Sequence, residues 1–165
     1  MTHDDLVGRA EKWLLKSKGC GFAFSDLRTV NNETPDAIGF KSGMSILVEV
    51  KVSRGDFHSD KKKIFRRNPS LGMGMYRFFL CPKGLINKED LPEKWGLLWV
   101  NENGIIRQQV GPKGNIWSSF GMDFMFTERN TQAEMSMMYS ALRRLHLRGV
   151  IGQIYDNPFA EKGSK

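Results

Sequence analysis

The sequence predicts an α/β protein in which a mixed central sheet is flanked by helices and extended by a C-terminal hairpin and helix. Two stretches, residues 4–18 and 131–148, repeat apolar residues at steps of three and four, as amphipathic helices do. Between them, short runs rich in valine, isoleucine and phenylalanine are separated by turn residues, as strands are. The order α-β-β-β-α-β over the first half of the chain completes the prediction.

The composition indicates one domain. The chain has 165 residues, 40% of them hydrophobic and 26% charged, enough to bury one substantial core. No repeat or linker is visible, so we expect a single domain over residues 1–155 and a flexible polar tail over residues 156–165. Cys20 and Cys81 have no CxxC partner and no nearby histidine, which predicts neither a disulfide framework nor a zinc site.

The net charge of the chain and its N-terminal sequence indicate which binding partners and which cellular compartment to expect. A net charge of +7 attracts polyanions such as nucleic acid or an anionic membrane surface. The N-terminus lacks the pattern of a signal peptide and no apolar run approaches bilayer length, so we expect a cytoplasmic protein without a membrane partner. No Walker loop, dinucleotide fingerprint or Ser-His-Asp pattern is present, so no nucleotide cofactor is expected.

The first half of the chain opens with a helix and a strand. The helix over residues 4–18 has Asp4 or Asp5 available as its N-cap. In the predicted strand over residues 21–30, apolar and polar residues alternate imperfectly, which predicts an irregularity near its middle. Residues 31–35 have the composition of a turn.

A hairpin and a basic helix follow. Residues 37–40 and 46–52 are predicted to be its strands, joined by a turn over residues 41–45. Residues 54–67 are predicted to form one helix, with Ser53 as its cap and Phe57, Ile64 and Phe65 on one face.

The second half adds three strands and a helix. Residues 76–82 form a buried strand, and residues 96–110 form a hairpin around Asn103 and Gly104. The final helix, residues 131–148, has an apolar stripe of Met135, Met138, Tyr139, Leu142 and Leu145. Its methionines, Met135, Met137 and Met138, belong either to the core or to a dimer face. Its basic residues either contact nucleic acid or balance the helix dipole; they are Arg143, Arg144, His146 and Arg148.

Charged residues in the most strand-like segment point to chemistry. Glu49 and Lys51 are two apart and therefore share one side of the strand, while Val48, Val50 and Val52 face the core. If the hairpin turns about Gly43, Asp36 lies opposite a position near 50 and beside both charged residues. The alternative is an ordinary ion pair on an exposed strand face.

Two carboxylates at cross-strand distance form a site for a divalent cation. Facing β-carbons on adjacent strands are about 4.5–5.5 Å apart, and the repulsion between the carboxylates is relieved by a cation or a proton. Mg²⁺ fits, since it is usually held by one or two carboxylates together with substrate phosphates. A neighbouring lysine can orient a metal-bound water, so the pattern is typical of phosphodiester hydrolysis.

The residues Pro35-Asp36 and Glu49-Val50-Lys51, in an α-β-β-β-α-β order, resemble the PD-(D/E)XK nuclease superfamily, which has the restriction-endonuclease-like fold. The resemblance covers about half the chain. The stretch from Val48 to Lys63 is similar to small phage and bacterial members that act in DNA repair or DNA processing.

The resemblance implies a role for each residue. Asp36 and Glu49 would bind the metal, assisted by the Val50 carbonyl, and Lys51 would position the attacking water. An acidic residue of the first helix often contributes in this superfamily, and Glu11 either takes that role or is a surface residue.

Basic residues around the helix over residues 54–67 are predicted to contact DNA phosphates. They are Arg54, Lys61, Lys62, Lys63, Arg66 and Arg67. Asp56 and Asp60 either orient neighbouring basic side chains or pair along the helix.

These expectations describe an Mg²⁺-dependent deoxyribonuclease, with Mn²⁺ as a substitute and DNA as the partner, acting in DNA repair, recombination or phage DNA processing. The alternatives are a catalytically silent module that binds nucleic acid or protein, and a protein that blocks another nuclease. The chain acts either alone or as a homodimer.

Overall fold

The computed structural model describes residues 1–28, 33–114, 116 and 119–156. Within them, six strands form one sheet with helices on both of its faces, so the α/β class with a mixed sheet is confirmed. The strands are β1 (Phe22–Ser25), β2 (Ala37–Lys41), β3 (Met44–Val50), β4 (Tyr76–Pro82), β5 (Trp95–Val100) and β6 (Ile106–Val110). The α-helices are α1 (His3–Lys16), α2 (Arg54–Asp60), α3 (Ile64–Arg67) and α4 (Thr131–Leu147). Residues 29–32, which the predicted first strand and turn include, and the predicted tail beyond Asp156 lie outside the described residues.

The sheet follows chain order from β1 to β6. The β1–β2, β2–β3 and β5–β6 pairs are antiparallel, while β3, β4 and β5 run parallel. The predicted order of helix, three strands, helix and strand is therefore present, with the basic helical region forming the crossover from β3 to β4. This topology places β3 inside the sheet, with β2 and β4 beside it.

Helix α1 covers one face of the sheet. Its cap is Thr2, whose side chain accepts from the backbone of Asp5 while the Asp5 carboxylate accepts from Thr2, so the predicted cap at Asp4 or Asp5 is wrong. The apolar stripe of α1 packs on the side of β3 that presents Ile46, Val48 and Val50. The predicted inward orientation of the first two of the three valines is correct.

The opposite face of the sheet is also buried. Leu47 of β3 packs in a second cluster with Phe79 of β4 and Phe57 of α2, and the two phenylalanine rings meet edge to face at 5.1 Å. Glu49 lies two residues beyond Leu47 on this same side. The strand that contains Glu49 is therefore covered on both sides, and its charged face is not an exposed one.

The register of the β2–β3 hairpin differs by one residue from the prediction. Its turn is the pair Ser42 and Gly43, and Ala37 pairs with Val48. Continuing this register aligns Asp36 with Glu49 rather than with a position near 50. Directly paired residues of neighbouring strands share one face of a sheet, and a shift of one residue would place a side chain on the other face. The observed register therefore puts the Asp36 and Glu49 carboxylates on the same side of the sheet.

Two strand ends also differ. β1 ends at Ser25, and the predicted irregularity is present as Asp26, whose φ is 49°. β3 ends at Val50, and Val52 is exposed instead of belonging to the core.

The predicted helix over residues 54–67 is two helices, α2 and α3, separated by three lysines. Ser53 caps α2 as predicted, and Phe57 is buried, but Ile64 is exposed. In a continuous helix, Asp60 and Arg66 would project about 120° apart, because residues are spaced by about 100°. The break allows Asp60 Oδ2 to accept a hydrogen bond from Arg66 Nε at 2.6 Å.

The C-terminal elements form where expected, but α4 presents a different face. The β5–β6 hairpin turns at Gly104, which has a φ of 77°, and Asn130 caps α4. The buried residues of α4 are Ala133, Glu134 and Met137, whereas most of the predicted apolar stripe is exposed. In the part of the chain that is described, no helix has the length and hydropathy needed to cross a bilayer.

Candidate active site

The carboxylate of Asp36 is fixed at the end of β3 by the backbone. The Val50 N–H donates to Asp36 Oδ2 at 2.7 Å. The other oxygen, Oδ1, lies 3.4 Å from Nε2 of His3, at the start of α1. The backbone thus holds Oδ2, while Oδ1 lies against the His3 imidazole.

Glu49 is buried among cations, with 2% of its surface exposed. Its Oε1 lies 3.1 Å from Nη2 of Arg66. Its Oε2 lies 3.4 Å from Nζ of Lys51 and 3.9 Å from Nζ of Lys63. Three positive groups thus offset the cost of burying this carboxylate.

Lys51 follows β3 directly and is equally buried. Its backbone N–H donates to the Leu80 carbonyl at 2.9 Å, which extends the sheet pairing by one residue. Its Nζ lies 3.4 Å from Oδ1 of Asp60 and 3.9 Å from Oδ1 of Asp56, besides its contact with Glu49. The three predicted catalytic residues therefore lie together, and α2 supplies acidic partners for Lys51.

The acidic residues of the site differ in their electrostatics. Burial and, next, the charge of Glu49 raise the pKa of Asp36 from 3.8 to about 6. Burial also acts to raise the pKa of Asp60, but Arg66 and Lys51 outweigh it, and the pKa of Asp60 is lowered. Asp60 thus remains the ionised partner of the cations, while Asp36 bears the repulsion of Glu49.

Two residues at the site were not found from the sequence. His3 contacts Asp36, and Glu33 is a buried carboxylate whose Oε2 accepts from the Met73 N–H at 2.7 Å and whose Oε1 lies 3.5 Å from Arg66 Nη1. Burial raises the pKa of Glu33. Glu33 lies in a segment with turn composition, and no periodic pattern marks it as buried.

The predicted phosphate-contacting residues fall into two groups. Lys61, Lys62 and Arg67 are exposed, and Lys63 is half-exposed while its Nζ contacts Asp60 Oδ1 at 2.8 Å. The guanidinium of Arg66 is instead enclosed: it contacts Glu33, Glu49 and Asp60, and lies 4.7 Å from the ring centre of Trp95.

Arg54 and Glu11 each have a partner of their own. Arg54 makes a bidentate pair with Asp90, with N···O distances of 2.7 and 3.0 Å. Glu11 Oε2 accepts from the Ser25 hydroxyl at 3.0 Å, and Glu11 is half-buried on α1. The structure thus ties Glu11 to β1 next to the hairpin rather than leaving it as a fully exposed residue.

Asp36 and Glu49 are the two carboxylates of the site that could hold a metal ion. Among the described residues, no group of three or more His, Cys, Asp or Glu side chains is arranged to hold a metal ion. Mg²⁺ commonly uses one or two carboxylates, waters and substrate phosphates. Burial is the larger cause of the raised pKa of Asp36, and the charge of Glu49 is the second; a cation bound between the two carboxylates would relieve that second effect.

Comparisons with known proteins give a fold but no family. No protein-family model matches the sequence, and no curated protein sequence matches it. A solved structure, of a protein of unknown function from Silicibacter pomeroyi, is similar with a TM-score of 0.57. The alignment covers 96% of this chain and 98% of that one at 17% identity, so the two chains share a fold.

Proposed function

We propose that this protein is a metal-dependent deoxyribonuclease of the restriction-endonuclease-like fold, using Mg²⁺ or Mn²⁺. The observation that supports this best is the meeting of Asp36, Glu49 and Lys51 at the end of β3. Strongly perturbed pKa values such as that of Asp36, beside a second carboxylate and a lysine, cluster at functional sites.

Each residue has a chemical role in the proposal. Asp36 and Glu49 would hold the cation, and Val50 would contribute its carbonyl. Mg²⁺, when bound, supplies a Lewis acid that polarises the phosphoryl oxygen and acidifies water. Lys51 Nζ would orient the attacking water beside Glu49, and Asp60 Oδ1, 3.4 Å away, holds that ammonium in place.

The exposed lysines support DNA as the proposed substrate, because they could bind its phosphates. Lys61 and Lys62 lie in the break between α2 and α3, and Lys63 reaches from the same break to within 3.9 Å of Glu49. Phosphates bound along this break would lie next to the carboxylates. Contacts to phosphates give affinity but carry no information about the bases. The proposed substrate is therefore DNA of any base sequence.

The test is cleavage of supercoiled, linear, single-stranded and branched DNA with Mg²⁺ or Mn²⁺, and again with chelator. Glu49→Gln and Lys51→Met should abolish cleavage. The matched control is Glu134→Gln, which alters a buried carboxylate on α4 that accepts from the Ser45 hydroxyl and the Gly74 N–H. Absence of cleavage by the wild type on every substrate, or full activity of Lys51→Met, would refute the enzymatic proposal.

A second candidate is a silent binding module on the same fold. The observation that favours it is the full pairing of Glu49 with Lys51, Lys63 and Arg66. This candidate predicts DNA binding that is indifferent to chelator, without cleavage. If a protein is bound instead, a tight complex forms that does not respond to Mg²⁺.

The proposed setting is the cytoplasm, in DNA repair, recombination or phage DNA processing. Its support is compositional: a net charge of +7 suits a DNA partner, and Cys20 and Cys81 are free and buried.

A further inference from the structure

Helix α4 presents an apolar stripe to solvent. Met135, Tyr139, Leu142 and Leu145 are 71%, 65%, 47% and 37% exposed. These residues recur at helical spacing, as a stripe that packs against a partner does. Single exposed apolar residues are normal on a surface, but a contiguous set marks an interaction site.

Among the described residues, the outer half of α4 contributes no buried side chain to the core, although the segment Ile151–Tyr155 that follows it contacts the helix. Residues 142–149 are all exposed, whereas the buried residues Ala133, Glu134 and Met137 lie in the first half. In proteins, most of the stability of a helix comes from tertiary packing of its apolar face rather than from intrinsic helix propensity. A partner that covers the stripe would supply the missing packing.

The stripe includes a symmetric seam when Met138, which is partly buried against the protein's own core, is counted with it. Met135, Met138, Leu142 and Leu145 are separated by three, four and three residues, the spacing of a two-heptad seam, and Tyr139 lies beside it. The spacing is unchanged when the order is reversed about position 140. Two antiparallel copies therefore align Met135 with the partner subunit's Leu145, and Met138 with the partner subunit's Leu142.

Charge favours the antiparallel arrangement. The last turns of α4 hold Arg143, Arg144, His146 and Arg148, all exposed. A parallel pair would place these basic ends side by side. An antiparallel pair separates the two copies of residue 148 by about 24 Å along the axis and opposes the helix dipoles.

We propose that this face is covered by a second copy of the chain, giving a two-fold dimer through antiparallel α4 helices. Of the three methionines that the sequence left open between the core and a dimer face, Met135 is exposed on the seam and Met137 is buried in the protein's own core. Met138 is partly buried against that core and completes the seam with its remaining surface. This dimer proposal is independent of the proposed nuclease activity, and either one can fail without the other.

The first test is the mass in solution by light scattering over a range of concentrations. The wild type should have twice the chain mass of 18.8 kDa, and Leu142→Glu should have the single-chain mass with an unchanged circular dichroism spectrum. The matched control is Leu147→Glu, which changes a more exposed leucine, 67% exposed, about 140° away around the helix. A monomeric wild type, or a dimer that Leu142→Glu leaves intact, would overturn the proposal.

The second test is disulfide cross-linking, which reports orientation. Cys20 and Cys81 are buried, so an introduced surface cysteine is the reactive one. Mixing Met135→Cys with Leu145→Cys chains should give a cross-linked heterodimer, and neither chain alone should cross-link to itself. Self-linking of the Met135→Cys chain would indicate a parallel pair of α4 helices. A monomeric protein that binds anionic lipid vesicles through α4 would indicate that a membrane surface, not a second copy, covers the stripe. Either result rejects the arrangement proposed.

Discussion

Replacing Asp36 with Asn should stabilise the protein at neutral pH. Burial, and then the charge of Glu49, raise the pKa of Asp36 to about 6, so the fold holds the ionised carboxylate at a cost. An asparagine side chain keeps an oxygen that can accept the Val50 N–H, which now lies 2.7 Å from Asp36 Oδ2. The substitution therefore removes the unfavourable charge while retaining the hydrogen bond.

The size of the effect follows from the pKa of Asp36. A rise from 3.8 to about 6 corresponds to about 3 kcal/mol, at about 1.4 kcal/mol per unit. Between these values the folded state binds more protons than the unfolded state, so stability falls as the pH rises through this window, and the whole cost is present above it. We expect Asp36→Asn to gain about 1–3 kcal/mol at about pH 7.5 and nothing at about pH 3.5.

The assay is urea unfolding of both proteins at the two pH values, supported by melting temperatures that shift by about 2–4 °C per kcal/mol for a chain of this size. The control is Asp90→Asn, an equivalent change with the opposite sign, because a hydrogen bond from Arg54 lowers the pKa of Asp90 to about 2. Asp90→Asn should lose stability at neutral pH. A variant of Asp36 that is less stable than the wild type at about pH 7.5 would refute the reasoning.

Three further outcomes are expected. Arg66→Met should destabilise the fold by about 3–5 kcal/mol in urea, because it removes the enclosed guanidinium that contacts the buried carboxylates of Glu49 and Asp60. Arg67→Met, on the exposed side, should change stability by less than about 0.5 kcal/mol. Gly96→Ala should cost about 1–3 kcal/mol, since the added methyl group meets the ring of Phe78; an unchanged melting temperature would contradict the packing. If DNA is the partner, Lys62→Ala should reduce the salt dependence of binding by a slope of about 1 and leave the melting curve unchanged; an unaltered slope would remove Lys62 from the interface.

Much of the fold could be predicted because its signals are local. The alternation in residues 46–52 and the Asn103-Gly104 turn are each contained in a few neighbouring residues, and both hairpins form there. The proximity of Asp36 to Glu49 also follows from a short hairpin, although the register was wrong by one residue. That error matters because each step in register reverses the face of a side chain.

The rest of the site could not be predicted, because it depends on partners distant in sequence. Glu33 accepts from the backbone of Met73, forty residues away, and Arg66 turns inward only because the chain breaks after Asp60. In the sequence, Arg66 has the same basic pattern as its exposed neighbour Arg67.

By itself, the sequence determined the order of the elements and the three residues that meet at the end of β3, since periodicity and turn chemistry act over short distances. Tertiary structure alone decided which charges are buried and which face of α4 packs inward. The free energy of burying a charge depends on the groups that surround it, and those groups are assembled only when helix, strand and loop are brought together.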